Sequence, residues 1–91
     1  MDKPYHWSTS LHPTSHERIY NINFRIAMLG AEDEAIDLTH ALNDQPGKPY
    51  QLSDAPDEVT ILIEDRDGKF ITSLPAAKHE QAHALLTLLN R

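Results

Sequence analysis

From Glu58 to Leu74 the chain carries its clearest alternation of side-chain character. Val59, Ile61 and Ile63 trade places with Thr60, Leu62 and Glu64, the period of a pleated strand whose two faces see different surroundings. Asp65-Arg66-Asp67-Gly68 follows, and an Asp-Gly pair able to take positive φ marks a hairpin before a return strand over Lys69 to Ser73. Leu62 and Phe70 are apolar where a half-solvated strand would be polar, so both faces of this hairpin are expected to meet other groups. The period then changes. Ala82, Leu85, Leu86 and Leu89 recur at helical spacing, predicting a helix from Pro75 to Asn90 with Ser73 as its cap and Pro75 in its first turn. Burying three leucines is worth roughly 1.5–3 kcal/mol each, enough to dock that helix on a sheet.

The N-terminal half is less sharply written. Tyr20, Ile22, Phe24, Ile26 and Met28 alternate with polar or small residues and predict a strand from Arg18 to Met28. Ile19, Ile22, Ile26 and Leu29 also fit a helix, with Thr14 and Glu17 spaced as a capping box and Gly30 as a stop. Aromatic and β-branched content favours the strand. Ala31 to Asn43 reads as a helix with Glu32, Asp33 and Glu34 in its first turn; Ala31, Ala35, Leu38 and Leu42 form one face and Ile36 points the other way. Residues 43 to 57, with Pro46, Gly47, Pro49 and Pro56, read as a long loop in which Lys48-Pro49-Tyr50-Gln51 is a candidate contact segment. No internal repeat or low-complexity tract is evident.

Residues 1–15 read as a mobile arm docking through Trp7 or as an edge strand over Tyr5 to Leu11, and residues 16–91 as a single small domain. The expected fold is α+β, a two-layer sandwich of order β-α-β-β-α. A three- to four-stranded, mainly antiparallel sheet would carry two helices on one face, with room for an extra N-terminal strand.

Bulk properties narrow the function. Ninety-one residues leave room for one core. With 8 Lys and Arg against 14 Asp and Glu the net charge is −6, and the basic residues are scattered, which argues against a nucleic-acid surface. No apolar run is long enough for a membrane span and the first residues lack the apolar core of a signal peptide. The absence of Cys fits a reducing compartment, so a soluble cytoplasmic protein is expected.

One motif carries chemistry. His79-Glu80-Gln81-Ala82-His83 is H-E-x-x-H, which on a helix sets two imidazoles on one side where they can share a zinc ion. These five residues resemble the core motif of zincin metalloproteases. That resemblance implies His79 and His83 as metal ligands and Glu80 as general base. No His, Asp or Glu follows His83, so a third ligand would have to come from His6, His12, His16, His40 or an upstream acid. The leading expectation is a small acidic binding or regulatory module, acting through contacts with a protein partner or with itself as a homodimer. Its contact residues would be Trp7, Ile36, Tyr50, Leu62 and Phe70, and it would need no cofactor. The alternative is a zinc-binding protein or small metallohydrolase.

Overall fold

The computed structural model describes residues 4–23 and 27–91. Among them run three strands, a helix, three more strands and a second helix: β1 (Trp7–Leu11), β2 (Arg18–Ile22), β3 (Ala27–Leu29), α1 (Glu32–Asp44), β4 (Gln51–Asp54), β5 (Thr60–Glu64), β6 (Phe70–Pro75) and α2 (His79–Leu89), the last preceded by a 3₁₀ turn over Ala76–Lys78. All pairings are antiparallel. The expected α+β class, antiparallel pairing and two helices are therefore present. The strands divide between two three-stranded sheets, in the orders β1-β2-β3 and β4-β5-β6. The chain falls into two compact units, residues 1–43 and 44–91.

In the second unit α2 lies against all three strands, and Ala82, Leu85 and Leu89 are buried, as the leucine stripe requires. Ile61 and Ile63 are buried on β5, so the alternation sends Leu62 to the opposite face. A bulge between Ile63 and Glu64 leaves Ile71 without a rung. The turn from β5 to β6 is built by Asp65. Its Oδ1 accepts the Asp67 and Lys69 N–H groups, both at 2.9 Å, and Gly68 sits at φ 82°.

In the first unit β1 pairs with β2 along its whole length, and the two-residue alternation of the β2 region is real. The single strand expected from Arg18 to Met28 is instead a hairpin. Asn23 takes φ 44°, β2 ends at Ile22, and β3 starts at Ala27 as the rung partner of Ile22. That turn changes the parity. Met28, grouped with Ile22 by the sequence pattern, faces the other way and is 68% exposed, while Leu29 is buried. Phe24 and Ile26 lie outside the described residues. On α1 the buried side chains are Ala35, Leu38, Ala41 and Leu42.

Two other boundaries differ from expectation. The loop expected over 43–57 contains β4, an edge strand with few apolar residues, in which Leu52 is the rung partner of Ile63. Ser73 does not cap a helix. It is the rung partner of Leu62, and β6 continues to Pro75, opposite Thr60, where a residue without an N–H suits a sheet edge.

The absence of a repeat is also corrected, because the units share one plan. The Asn43 side chain brackets the backbone of Tyr5: the Tyr5 N–H donates to Asn43 Oδ1 at 3.0 Å and Asn43 Nδ2 donates to the Tyr5 carbonyl at 2.9 Å. The Asn90 side chain does the same to Tyr50, at 2.7 and 2.9 Å. Two residues after each tyrosine stand Trp7 and Leu52, whose rung partners are the fully buried Ile22 and Ile63, followed by Ala27 and Thr72 on the third strands. On the helices Ala35, Leu38 and Leu42 correspond to Ala82, Leu85 and Leu89, all buried. The chain is a β-β-β-α unit written twice.

Candidate functional site

The H-E-x-x-H segment forms the first turn and a half of α2. His79, Glu80 and His83 are exposed, and the two imidazoles stand edge to face with ring centroids 6.4 Å apart. Helical spacing places them one turn apart, so both rings can turn toward one point. Among the described residues, no group of three or more His, Cys, Asp or Glu comes together as a metal site. His12 has a structural part. His12 Nδ1 accepts the N–H groups of Thr14 and Ser15 at 3.1 and 3.2 Å, holding the β1–β2 loop in shape.

The five expected contact residues separate into three groups. Ile36 (44% exposed) and Phe70 (43%) face outward. Leu62 is half-buried on the face of β5 opposite Ile61 and Ile63, and Trp7 is half-buried with its ring centroid 5.8 Å from that of Tyr20. Tyr50 corrects the expectation. Its side chain is buried, its hydroxyl accepts the Gly47 N–H at 3.0 Å, and its backbone is held by Asn90, so it organises the second unit from inside. Gly47 cannot carry a side chain there, because a Cβ would strike Asp65.

Sequence reasoning missed the most exposed large apolar side chains, Met28 at 68% and Val59 at 65%, together with Leu11 at 61%. The period-two pattern groups Val59 with Ile61 and Ile63. In the structure it lies just before β5. Its amide is taken by Asp57 Oδ1 at 3.0 Å, as is the Thr60 amide at 3.0 Å, while the Thr60 hydroxyl donates to Asp57 Oδ2 at 2.8 Å. The Val59 N–H is the largest cause, followed by the Thr60 hydroxyl, holding the Asp57 carboxyl below its ordinary value.

Val59 borders a shallow cleft of about 380 Å³ in the second unit, with Thr60 beside it and Ser73, Leu74 and Pro75 across it. A second shallow cleft, of about 230 Å³, lies in the first unit between Arg18 and Ile19 on one side and Met28, Leu29 and Gly30 on the other, with His12 and Glu17 at its end. Leu62 occupies the same face of the second sheet as Thr60, Ser73 and Pro75, and Phe70 joins it past the bulge as the rung partner of Glu64, two residues from Leu62.

No protein-family model, curated protein or solved structure matches the chain. No helix of the described residues is long and apolar enough to cross a membrane.

Proposed function

We propose that the protein is a non-enzymatic binding module that works through contacts with another protein. The observation that carries this reading is the apolar content of the face of the second sheet turned away from Ile61 and Ile63, where Phe70 is exposed and Leu62 half-buried on the same face as Thr60 and Ser73. An apolar patch framed by polar groups is the usual form of a protein contact site. The net charge of −6 favours a partner with a basic surface, and a chain without Cys suits the cytoplasm.

The metallohydrolase alternative rests on the His79–His83 pair, which supplies two ligands where a catalytic zinc takes three from the protein. The two readings separate by experiment. A photo-crosslinking residue placed at Leu62 in the full chain, in the cells that make it, should give a defined protein adduct that Phe70→Asp removes. No defined adduct, together with one zinc per chain lost on His83→Ala, would replace the binding reading with the metal one.

A further inference from the structure

Each unit fixes the loop between its first two strands with one side chain that accepts two backbone amides, two and three residues ahead of it. In the first unit it is His12, whose Nδ1 takes the N–H groups of Thr14 and Ser15 at 3.1 and 3.2 Å. In the second it is Asp57, whose Oδ1 takes those of Val59 and Thr60, both at 3.0 Å. Pro13 has no N–H, so Thr14 and Ser15 offer the first amides beyond His12. The plan is the same and the acceptor is not. A carboxylate stays an acceptor far below neutral pH, and the Val59 N–H, with the Thr60 hydroxyl after it, holds the Asp57 carboxyl below its ordinary value. An imidazole nitrogen accepts only while it is unprotonated, because both ring nitrogens of the cation are donors.

A proton on His12 Nδ1 sets a third N–H against the two it faces, and the ring has to swing away. Three other hydrogen bonds span the loop. The His12 N–H donates to the Glu17 carbonyl at 2.8 Å, the His16 N–H to the His12 carbonyl at 3.0 Å, and the Glu17 N–H to Ser15 Oγ at 3.3 Å. The first belongs to the foot of the strand pair and does not involve the ring. The second is made with His16 at φ 60°, a left-handed backbone that is costly for a residue with a side chain, so the tip of the loop leans on the His12 grip. The titratable and charged groups beside His12 are His16 and Glu17 in the loop and Arg18 at the start of β2; Met28, Leu29 and Gly30, which line the same cleft from the other side, bring none. His12 and Glu17 form one end of that cleft, so opening the loop alters the cleft as well.

We infer that the loop between β1 and β2 is a proton-operated latch confined to the first unit, closed while His12 is neutral and released, together with the end of the neighbouring cleft, when His12 takes up a proton. The corresponding loop of the second unit, held by a carboxylate, stays closed through the same change. Mild acidification thus reshapes one unit and leaves its repeat as it was. The inference is independent of the protein-contact reading, whose patch lies on the second sheet.

The test is an NMR titration of the isotopically labelled full chain from about pH 8 to pH 5, the interval in which imidazoles change charge, following each histidine ring and every amide. The Thr14 and Ser15 amides should move with the His12 ring at one shared midpoint. Their hydrogen exchange, corrected for the intrinsic effect of pH, should quicken roughly two- to tenfold, the range of one hydrogen bond. The Val59 and Thr60 amides should stay where they are. In His12→Asn, whose side-chain oxygen accepts the same amides and does not titrate, the Thr14 and Ser15 movements should vanish; in His16→Asn they should persist. Thr14 and Ser15 amides that ignore the His12 titration, move as much in His12→Asn, follow His16 instead, or are matched by Val59 and Thr60 would each overturn the inference.

Discussion

The two units reach one architecture with different local chemistry. In the first, the loop between the paired strands is shaped by His12, whose Nδ1 accepts two backbone amides. In the second, the shorter loop is shaped by the Asp57 carboxylate, which accepts two amides and a hydroxyl. The first helix follows Gly30 closely, whereas the second begins after a 3₁₀ turn over Ala76–Lys78. What stays the same is the interior: a fully buried isoleucine on the middle strand, an Ala-Leu-Leu stripe on the helix, and an asparagine that grips the backbone before the first strand. Loops need only some acceptor for their amides, and many side chains serve. The interior needs a given volume at a given place, and few do.

The comparison can be broken most forcefully at the helix stripes. Leu38→Ala and Leu85→Ala occupy equivalent buried positions, and each should lower unfolding free energy by about 2–5 kcal/mol in denaturant titrations. A large loss at one and none at the other would deny that the two helices do the same work. Next are the asparagines. Asn43→Leu and Asn90→Leu each orphan a half-buried N–H and a carbonyl, for about 1–3 kcal/mol each. Asn90→Asp keeps the acceptor for Tyr50 N–H but sets a carboxylate against the Tyr50 carbonyl, so it should resemble the leucine variant rather than the parent.

The loops offer a finer contrast. His12→Ala should cost about 0.5–1.5 kcal/mol, and His12→Asn, which can accept from the same amides, should restore most of it. For Asp57 the sign follows from its depressed folded-state value. Its contribution is present above the ordinary carboxylate range near 3.8 and is lost as pH falls through the folded value, so acid unfolding of Asp57→Asn should be less steep below that range. The smallest effect is expected at Thr72, whose buried hydroxyl has no hydrogen-bond partner among the described residues. Thr72→Val should stay within about 1 kcal/mol of the parent, on the stabilising side, in thermal melts.

The second unit was the more legible in sequence because its signals are local. Alternation, an Asp-Gly turn and a leucine stripe each declare themselves within a few residues, and the structure has all three. The first unit hides its hairpin, since in sequence the apolar-polar alternation runs on past Asn23, beyond the point where β2 ends. The repeat escaped for a related reason. Matching positions lie 45 residues apart at Trp7 and Leu52, 41 at Ile22 and Ile63, and 47 at Leu38 and Leu85, so no one offset aligns the halves. Lys-Pro-Tyr at 3–5 and again at 48–50 was the available clue. Of the expected contact residues, the exposure of Phe70 and Ile36 was readable, since both are apolar residues out of place in their periods. Tyr50 was misread because an aromatic in a proline-rich stretch suggests a contact loop, and only the Asn90 grip, forty positions away, reveals its structural part.

The asparagine grip has a consequence for how such a chain can grow. By binding the residue ahead of the first strand to the end of the helix, it brings the beginning and the end of each unit to within a hydrogen bond of each other. A module whose two ends meet can be copied head to tail or spliced into a host loop with a very short joint, because neither end has to travel across the fold to reach its neighbour. Here the joint from Asn43 to Tyr50 is six residues, 44–49. Longer strings of the same bead, or a single bead set into another protein's surface, would need no new design.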